Sequence, residues 1–169
     1  MTTAYPPAEA LLRLHALQGA YFEQLVGAIP AEHACAMPAG FGSHAAWQVG
    51  HIAFVGEVPA KMLTGEPSIL PENFSALFGK GSEPNPDATA YPAFIDLVES
   101  ARAGRAATAE ALRAAVEQDF ARPNPREHFI QRGLPTLGDM VGFMVATHEG
   151  MHLGQLAAWR RAMGFGPVM

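Results

Sequence analysis

Residues 136–160 read TLGDMVGFMVATHEGMHLGQLAAWR, and this stretch decides the fold class. Its apolar side chains recur at steps of three and four residues, which is the period of one face of an α-helix. Thr136 stands where an N-cap is needed, and Asp139 three residues later makes an acidic variant of the capping box. Gly164, beyond the last apolar position, predicts where the helix ends. The stretch therefore predicts a long amphipathic helix near the end of the chain.

Three further helices are predicted upstream of this one. The apolar pattern places the first at about residues 8–29, the second from Ser43 as N-cap to Met62, and the third at about 92–120. Pro59 has to kink or end the second helix, because proline lacks the amide donor and clashes with the preceding turn. Gly104 is the weak point of the third helix, since glycine disfavours helix interiors.

The segment between the second and third helices differs in composition from the rest of the chain. Residues 65–92 are rich in proline and predict a long connection with a short helical turn near 72–78. No alternating pattern typical of β-strands is found elsewhere. Four helices joined by one long crossover connection predict an all-α fold, a four-helix bundle.

Composition and charge exclude several classes of protein. Of the 169 residues, 49% are hydrophobic and 16% charged, and 11 Lys plus Arg against 16 Asp plus Glu give a formal net charge of −5. This balance, without any run of basic residues, disfavours nucleic acid as a direct ligand. No apolar run approaches the roughly 20 residues that span a bilayer, and the N-terminus lacks a secretory signal. We therefore expect one domain over residues 1–169, cytoplasmic and without a membrane partner.

The histidines carry the strongest indication of chemistry. His148 and His152 are four residues apart on the apolar face of the fourth helix, so they could share one ion. Cys35 is the single cysteine, so any metal has to be held mainly by nitrogen or oxygen. The alternative is a buried polar network without metal.

The string His148-Glu149-Gly150-Met151-His152 also matches the H-E-x-x-H pattern of zinc proteases. Beyond His152 the chain contains no Asp, Glu or His, so neither common downstream third ligand of these proteases is present. Gln155 stands where one protease class requires glycine. A zinc protease therefore remains an alternative only if the third metal ligand comes from earlier in the chain.

His51 is the best third ligand by position, because it shares the apolar face of the second helix. His15, on the apolar face of the first helix, is its rival as a ligand or as a lining residue. Three imidazoles leave at least one coordination position open, which is typical of a catalytic ion. The other histidines fall in loops or at a helix start and are expected to be ordinary surface residues: His33, His44 and His128.

Two segments together resemble the DinB-like superfamily: residues 47–53, WQVGHIA, and residues 148–156, HEGMHLGQL. The resemblance implies a four-helix bundle in which His51, His148 and His152 bind a divalent ion, commonly nickel or zinc and sometimes iron. Characterised members of that family are transferases or isomerases that use a low-molecular-weight thiol such as mycothiol, bacillithiol or glutathione, and others are described as metal-dependent hydrolases. The family's name refers to DNA-damage-inducible expression, which implies a stress response, and family likeness implies a homodimer.

These indications together predict a metal-dependent thiol S-transferase or hydrolase that acts on a small electrophile. Glu149 is the candidate general base, with a solvent-facing or ligand-supporting carboxylate as the alternative. Trp47 and Gln155 are expected to line the substrate pocket, whereas Cys35 lacks a local cationic partner and is expected to be inert. A noncatalytic metal-binding bundle with a stress-related role is the alternative of a different class.

Overall fold

The computed structural model describes residues 8–126 and 133–168. Within these ranges the regular secondary structure is helical, apart from one isolated β-bridge between Pro123 and Thr136, and loops connect the helices. The helices are α1 (Ala8–Val26), α2 (Ala45–Gly56), α3 (Val58–Thr64), α4 (Phe74–Phe78), α5 (Phe94–Ala114), α6 (Glu117–Ala121), α7 (Leu137–Gly142), a π-helical segment (Phe143–His148) and α8 (Glu149–Ala162), with 3-10 turns at Ala31–His33 and Ala88–Ala90.

Four long helical units form the bundle: α1, α2 with α3, α5, and α7 continued through the π-helical segment into α8. The all-α bundle with a long crossover connection is confirmed. The connection between α3 and α5 holds α4, close to the short turn predicted there. The main core lies between α1, α2, α4, α5 and α8, and Trp159, 1% exposed, sits within it. None of the described helices is both long and apolar enough to cross a membrane.

The start of α2 differs from the prediction. His44, not Ser43, is the N-cap, and its Nδ1 accepts the backbone N–H of Trp47 at 3.2 Å. The Nε2 atom of His44 lies 2.8 Å from the carbonyl oxygen of Asn85, so the ring joins α2 to the crossover connection. His44 is 0% exposed, and its prediction as a surface residue is therefore wrong. Burial lowers the pKa of His44, which keeps the ring neutral as this cap requires.

Pro59 acts on the second helix as predicted, whereas Gly104 has a different role from the one predicted. The second helix ends at Gly56, and Pro59 lies in the first turn of α3, where a missing N–H is tolerated. α5 continues through Gly104 to Ala114, and α2 approaches it closely at this glycine. A Cβ atom at Gly104 would lie 3.1 Å from the carbonyl oxygen of Ala53, a tight contact that the two helices would have to move apart slightly to admit.

The third helix is shorter than predicted. α5 ends at Ala114, and Val116 adopts an extended backbone before α6 begins. The Asp119 carboxylate accepts the backbone N–H of Val116 at 2.9 Å, which stabilises this new helix start. The predicted helix at 92–120 is therefore two helices. The first helix likewise ends at Val26, before Ile29.

The last helix begins and ends as predicted but is irregular in between. Thr136 and Asp139 form the capping box, and Gly164, with φ of +80°, follows the end of α8. Between them the chain forms a π-helix at Phe143–His148, a wider turn that leaves a carbonyl in need of another partner. Gln18 of α1 donates to the carbonyl oxygen of Ala146 at 2.9 Å. The π-helix ends at His148, which begins the segment of the last helix that carries the two neighbouring histidines.

Candidate metal centre

Three histidine rings converge on one point between α2 and the last helix. One ring nitrogen from each of His51, His148 and His152 lies within 4.8 Å of the other two. The Nε2 atoms of His148 and His152 are 3.2 Å apart, and the rings of His51 and His152 have centroids 4.3 Å apart. His152 is buried and the other two are half-buried. The structure thus brings together the three side chains that the sequence singled out.

Hydrogen bonds fix the orientation of His51. Its Nδ1 lies 2.6 Å from the carbonyl oxygen of Phe78, which can only accept, so Nδ1 carries the proton. Nε2 therefore keeps a lone pair. The approach of α4 to α2 depends on Gly50, since a Cβ atom there would collide with the ring of Phe78. A backbone carbonyl that holds the second nitrogen of a histidine is typical of metal ligands.

A pair of glutamines holds His152 in the same way. The Nδ1 atom of His152 lies 3.1 Å from Oε1 of both Gln48 and Gln155. Gln48 Nε2 donates to Oε1 of Gln155 at 3.0 Å and to Oγ of Ser43 at 2.5 Å, so both amide orientations follow from the network. Nδ1 of His152 is the donor, and its Nε2 lone pair points towards His148.

The spacing and chemistry of these atoms fit a divalent transition metal. Metal–nitrogen bonds of about 2.0–2.1 Å in tetrahedral geometry place two nitrogens about 3.3 Å apart. The 3.2 Å between Nε2 of His148 and Nε2 of His152 matches this value. Nδ1 of His148 is buried and has no hydrogen-bond partner within the described ranges. Three imidazoles accept zinc, nickel, copper or iron, so this donor set does not select one of them.

The electrostatics of the cluster keep the rings in the form that binds metal. Burial lowers the pKa of His51 and of His148 below the usual value, and the neighbouring His51 adds to the effect on His148. For His152, burial and then the other two histidines lower the pKa to about 3. All three rings are therefore neutral near pH 7, and neutral imidazole is the form that coordinates an ion.

A cavity of about 430 Å³ lies directly beside the cluster. Trp47 and Gln155, the two predicted pocket residues, both line it. The Trp47 ring stacks on His51 with centroids 5.0 Å apart and planes 9° apart, and its Nε1 donates to Oγ of Ser82 at 3.2 Å. The volume falls within the range of small-molecule sites. Of the three clustered histidines, His152 lines this cavity, together with Gln48 and Gln155.

Glu149 occupies a different environment from the histidines on either side of it. Glu149 is buried, with 4% of the residue exposed, and its carboxylate forms an ion pair with the guanidinium of Arg105 on α5. The solvent-facing alternative is therefore wrong. His15 lies against the same carboxylate, with Nδ1 3.4 Å from Oε2, and its Nε2 is 3.0 Å from the carbonyl oxygen of Arg105. His15 thus belongs to this buried ion pair and lies outside the three-histidine cluster.

In the part of the chain that the structure describes, the remaining predicted residues form no hydrogen bond with the three clustered histidines. His33 is exposed, as expected of a surface residue, and its ring contacts Phe165. Cys35 is half-buried, and burial raises the pKa of its thiol, which agrees with an inert side chain. His128 lies outside the described residues.

Sequence reasoning missed two groups that hold the histidines. Gln48 is 2% exposed on an otherwise apolar face of α2, and a buried amide within the WQVGH segment is the signal that could have found it. The carbonyl oxygen of Phe78 could not be found in this way, because a backbone acceptor in a connection carries no side-chain signal. Both act by fixing which nitrogen of a histidine bears the proton.

Replacing Gln48 by leucine is expected to lower metal affinity by about 10- to 100-fold, the usual effect of losing a group that orients a metal ligand. Leucine keeps the volume but cannot accept the N–H of His152. Competition with a chelator of known affinity measures the change. Gln24→Leu on the exposed side of α1 is the matched control. Equal affinity of Gln48→Leu and wild type would show that the glutamine does not orient His152.

The chain matches the sequence profile of the DinB superfamily over residues 14–156, a span that contains the whole cluster. Comparison with curated proteins finds no match.

Proposed function

Because the chain belongs to the DinB superfamily, we propose that it is a divalent-metal-dependent enzyme that transfers a low-molecular-weight thiol to a small electrophile. The observation that carries the proposal is the convergence of three neutral imidazoles beside a cavity large enough for a small molecule. Three protein nitrogens leave a coordination position for a reacting group, whereas structural ions are usually enclosed by four protein ligands.

The surroundings of the cluster favour a thiol over water as the nucleophile. A divalent ion at such a site lowers the pKa of a thiol or water in its open position. A free thiol has a pKa near 8.5, so it needs only a modest reduction to ionise at neutral pH. Water has a far higher pKa and usually needs a general base as well. Glu149 is paired with Arg105, and no Asp or Glu among the described residues belongs to the cluster. Without a free carboxylate, hydrolysis is the less suited reaction.

The chain's own residues would position the reactants. Gln48 and Gln155 hold His152 with its Nε2 lone pair towards the centre, and Phe78 does the same for His51 through its carbonyl. Trp47 closes one side of the site by stacking on His51. The thiol would lose its proton to solvent, and the thiolate sulfur would form a bond to the electrophilic carbon while that carbon's bond to its leaving group breaks. With chlorodinitrobenzene the leaving group departs as chloride, and with an epoxide the C–O bond opens and its oxygen takes up a proton from solvent.

The zinc-protease alternative is less well supported, because the glutamate that would act as its general base is engaged in an ion pair. In H-E-x-x-H proteases the glutamate acts on a metal-bound water, which requires a free carboxylate at the ion. Here the Glu149 carboxylate lies 3.4 Å from Nδ1 of His15 and is paired with Arg105. The same string of residues thus supports two ligands without supplying the protease machinery.

The test combines metal content with turnover. Tag-free protein is expected to hold about one equivalent of a transition metal by mass spectrometry, and to consume mycothiol, bacillithiol or glutathione with chlorodinitrobenzene or an epoxide. A chelator should remove both properties, and added metal should restore them. His51→Ala tests the role of the ion: thiol transfer that persists without metal in this variant would refute metal-dependent catalysis. Bound metal without turnover of any thiol would favour the noncatalytic bundle.

A further inference from the structure

The three histidines of the cluster are not held equally by their surroundings. Nδ1 of His51 donates to the carbonyl oxygen of Phe78 at 2.6 Å. Nδ1 of His152 lies 3.1 Å from Oε1 of Gln48 and of Gln155. In both rings the proton is therefore fixed on Nδ1, so the Nε2 lone pair is available before an ion arrives. These two side chains are preorganised as metal ligands.

His148 lacks a corresponding support. Its Nδ1 atom is buried and has no hydrogen-bond partner among the residues that the structure describes. The ring of Phe143 stacks on the His148 ring, with centroids 5.7 Å apart and planes 14° apart. A stacked ring covers the face of the imidazole, but it does not accept an N–H that lies in the imidazole plane. A proton on Nδ1 of His148 would thus be buried without an acceptor, which is unfavourable.

The contact between His148 and His152 places the His148 proton on the other nitrogen. Their Nε2 atoms are 3.2 Å apart, and two lone pairs at this distance repel, so one of the two nitrogens has to donate when no ion lies between them. His152 keeps its proton on Nδ1, so its Nε2 accepts and Nε2 of His148 donates. The nitrogen of His148 that faces the centre therefore carries a hydrogen until an ion displaces it.

Metal binding consequently requires more of His148 than of the other two rings. Its proton has to move from Nε2 to Nδ1, where the described residues supply no acceptor. Charge acts in the same direction: burial and then His51 lower the pKa of His148, and the guanidinium of Arg126 adds to the effect. A positive charge that disfavours a proton on this ring also disfavours a divalent cation bound to it.

We infer that His148 is the weakest and the replaceable ligand of the centre, whereas His51 and His152 anchor the ion. The inference deepens the proposed function and rests on its metal site, but not on thiol transfer. A weakly bound ligand gives its coordination position to an incoming donor atom more readily than an anchored one. The centre therefore offers a reactant two positions, the one left open by three protein nitrogens and the one that His148 gives up.

Nitrogen NMR of protein with isotope-labelled histidine reads the position of each ring proton directly. The nitrogen shifts distinguish a ring with Nδ1–H from one with Nε2–H, and single variants assign the signals. Without metal, His51 and His152 should carry Nδ1–H and His148 should carry Nε2–H. Zinc should then move the proton of His148 alone to Nδ1. A His148 ring with Nδ1–H before zinc is added, or with Nε2–H afterwards, would overturn the inference.

The zinc affinities of three single variants give the second test. Chelator competition should show that His148→Ala binds zinc at least about tenfold more tightly than His51→Ala or His152→Ala, because a group that orients a ligand is worth about 10- to 100-fold in affinity. His33→Ala, at an exposed position outside the cluster, is the control and should match the wild type. Equal losses, or a larger loss in His148→Ala than in either other variant, would overturn the inference. The NMR measurement reads the unsubstituted protein, so it decides the question even where a variant fails to fold.

Both measurements are made without thiol or electrophile, so the inference and the proposed function can fail separately. Graded affinities and a proton shift of His148, without turnover of any thiol, would support the inference and refute the proposed enzyme. Metal-dependent turnover with equal losses of affinity in the three variants would support the enzyme and refute the inference.

Discussion

Replacing His152 by alanine is expected to reduce metal content from about one equivalent to a trace, and to abolish thiol transfer. His152 is the most enclosed of the three ligands, and its Nε2 lies 3.2 Å from that of His148. Its removal leaves two imidazoles, so metal affinity should fall by more than about 100-fold, beyond the loss that follows from removing an orienting group. Mass spectrometry of the purified protein measures the metal, and thioether formation measures the activity.

His33→Ala is the matched control, because it removes an exposed histidine that is not part of the cluster. Its metal content and activity should equal those of the wild type. Added metal should raise the melting temperature of wild type and His33→Ala but not that of His152→Ala, since binding to the native state alone stabilises it. Metal that is retained at equal stoichiometry in His152→Ala would refute the three-histidine centre.

The parts of this molecule that could be predicted from sequence are those encoded locally. The capping box of Thr136 and Asp139 and the stop at Gly164 involve neighbours in the chain, and both were predicted correctly. The pairing of His148 with His152 follows from helical spacing alone. Predicting His51 as the third ligand also required that the second and last helices, which are far apart in sequence, pack with their apolar faces against each other. The bundle fold brings these two helices together.

The parts that could not be predicted depend on contacts between distant segments. The π-helix at Phe143–His148 is supported by Gln18, which comes from α1. His44 is buried because the crossover connection folds back to place the carbonyl of Asn85 beside it. Gly104 seemed a weak point in isolation, yet it is the position where α2 approaches α5. In each case tertiary packing overrides the local preference of the residue.

The role of Glu149 can be separated into structure and catalysis by a single substitution. Glu149→Gln is expected to lower the free energy of unfolding by about 3–5 kcal/mol, because it leaves the guanidinium of Arg105 buried without its counter-ion. The side chains of Arg105 and Glu149 are only 9% and 6% exposed. At this chain length the loss corresponds to a fall in melting temperature of about 6–20 °C, measured by calorimetry. Glu110→Gln, at an exposed position of α5, is the control.

Turnover decides between the two roles. Measured well below the melting temperature on metal-loaded protein, the activity of Glu149→Gln should stay within a few-fold of wild type, because the amide changes a buried ion pair and not a reacting group. A general base would instead lose about 10²- to 10⁴-fold in rate with little change in stability. The double variant Glu149→Leu with Arg105→Met should be more stable than either single variant, since removing both charges avoids the uncompensated one. A stable, inactive Glu149→Gln would overturn the structural role and return this carboxylate to the reaction.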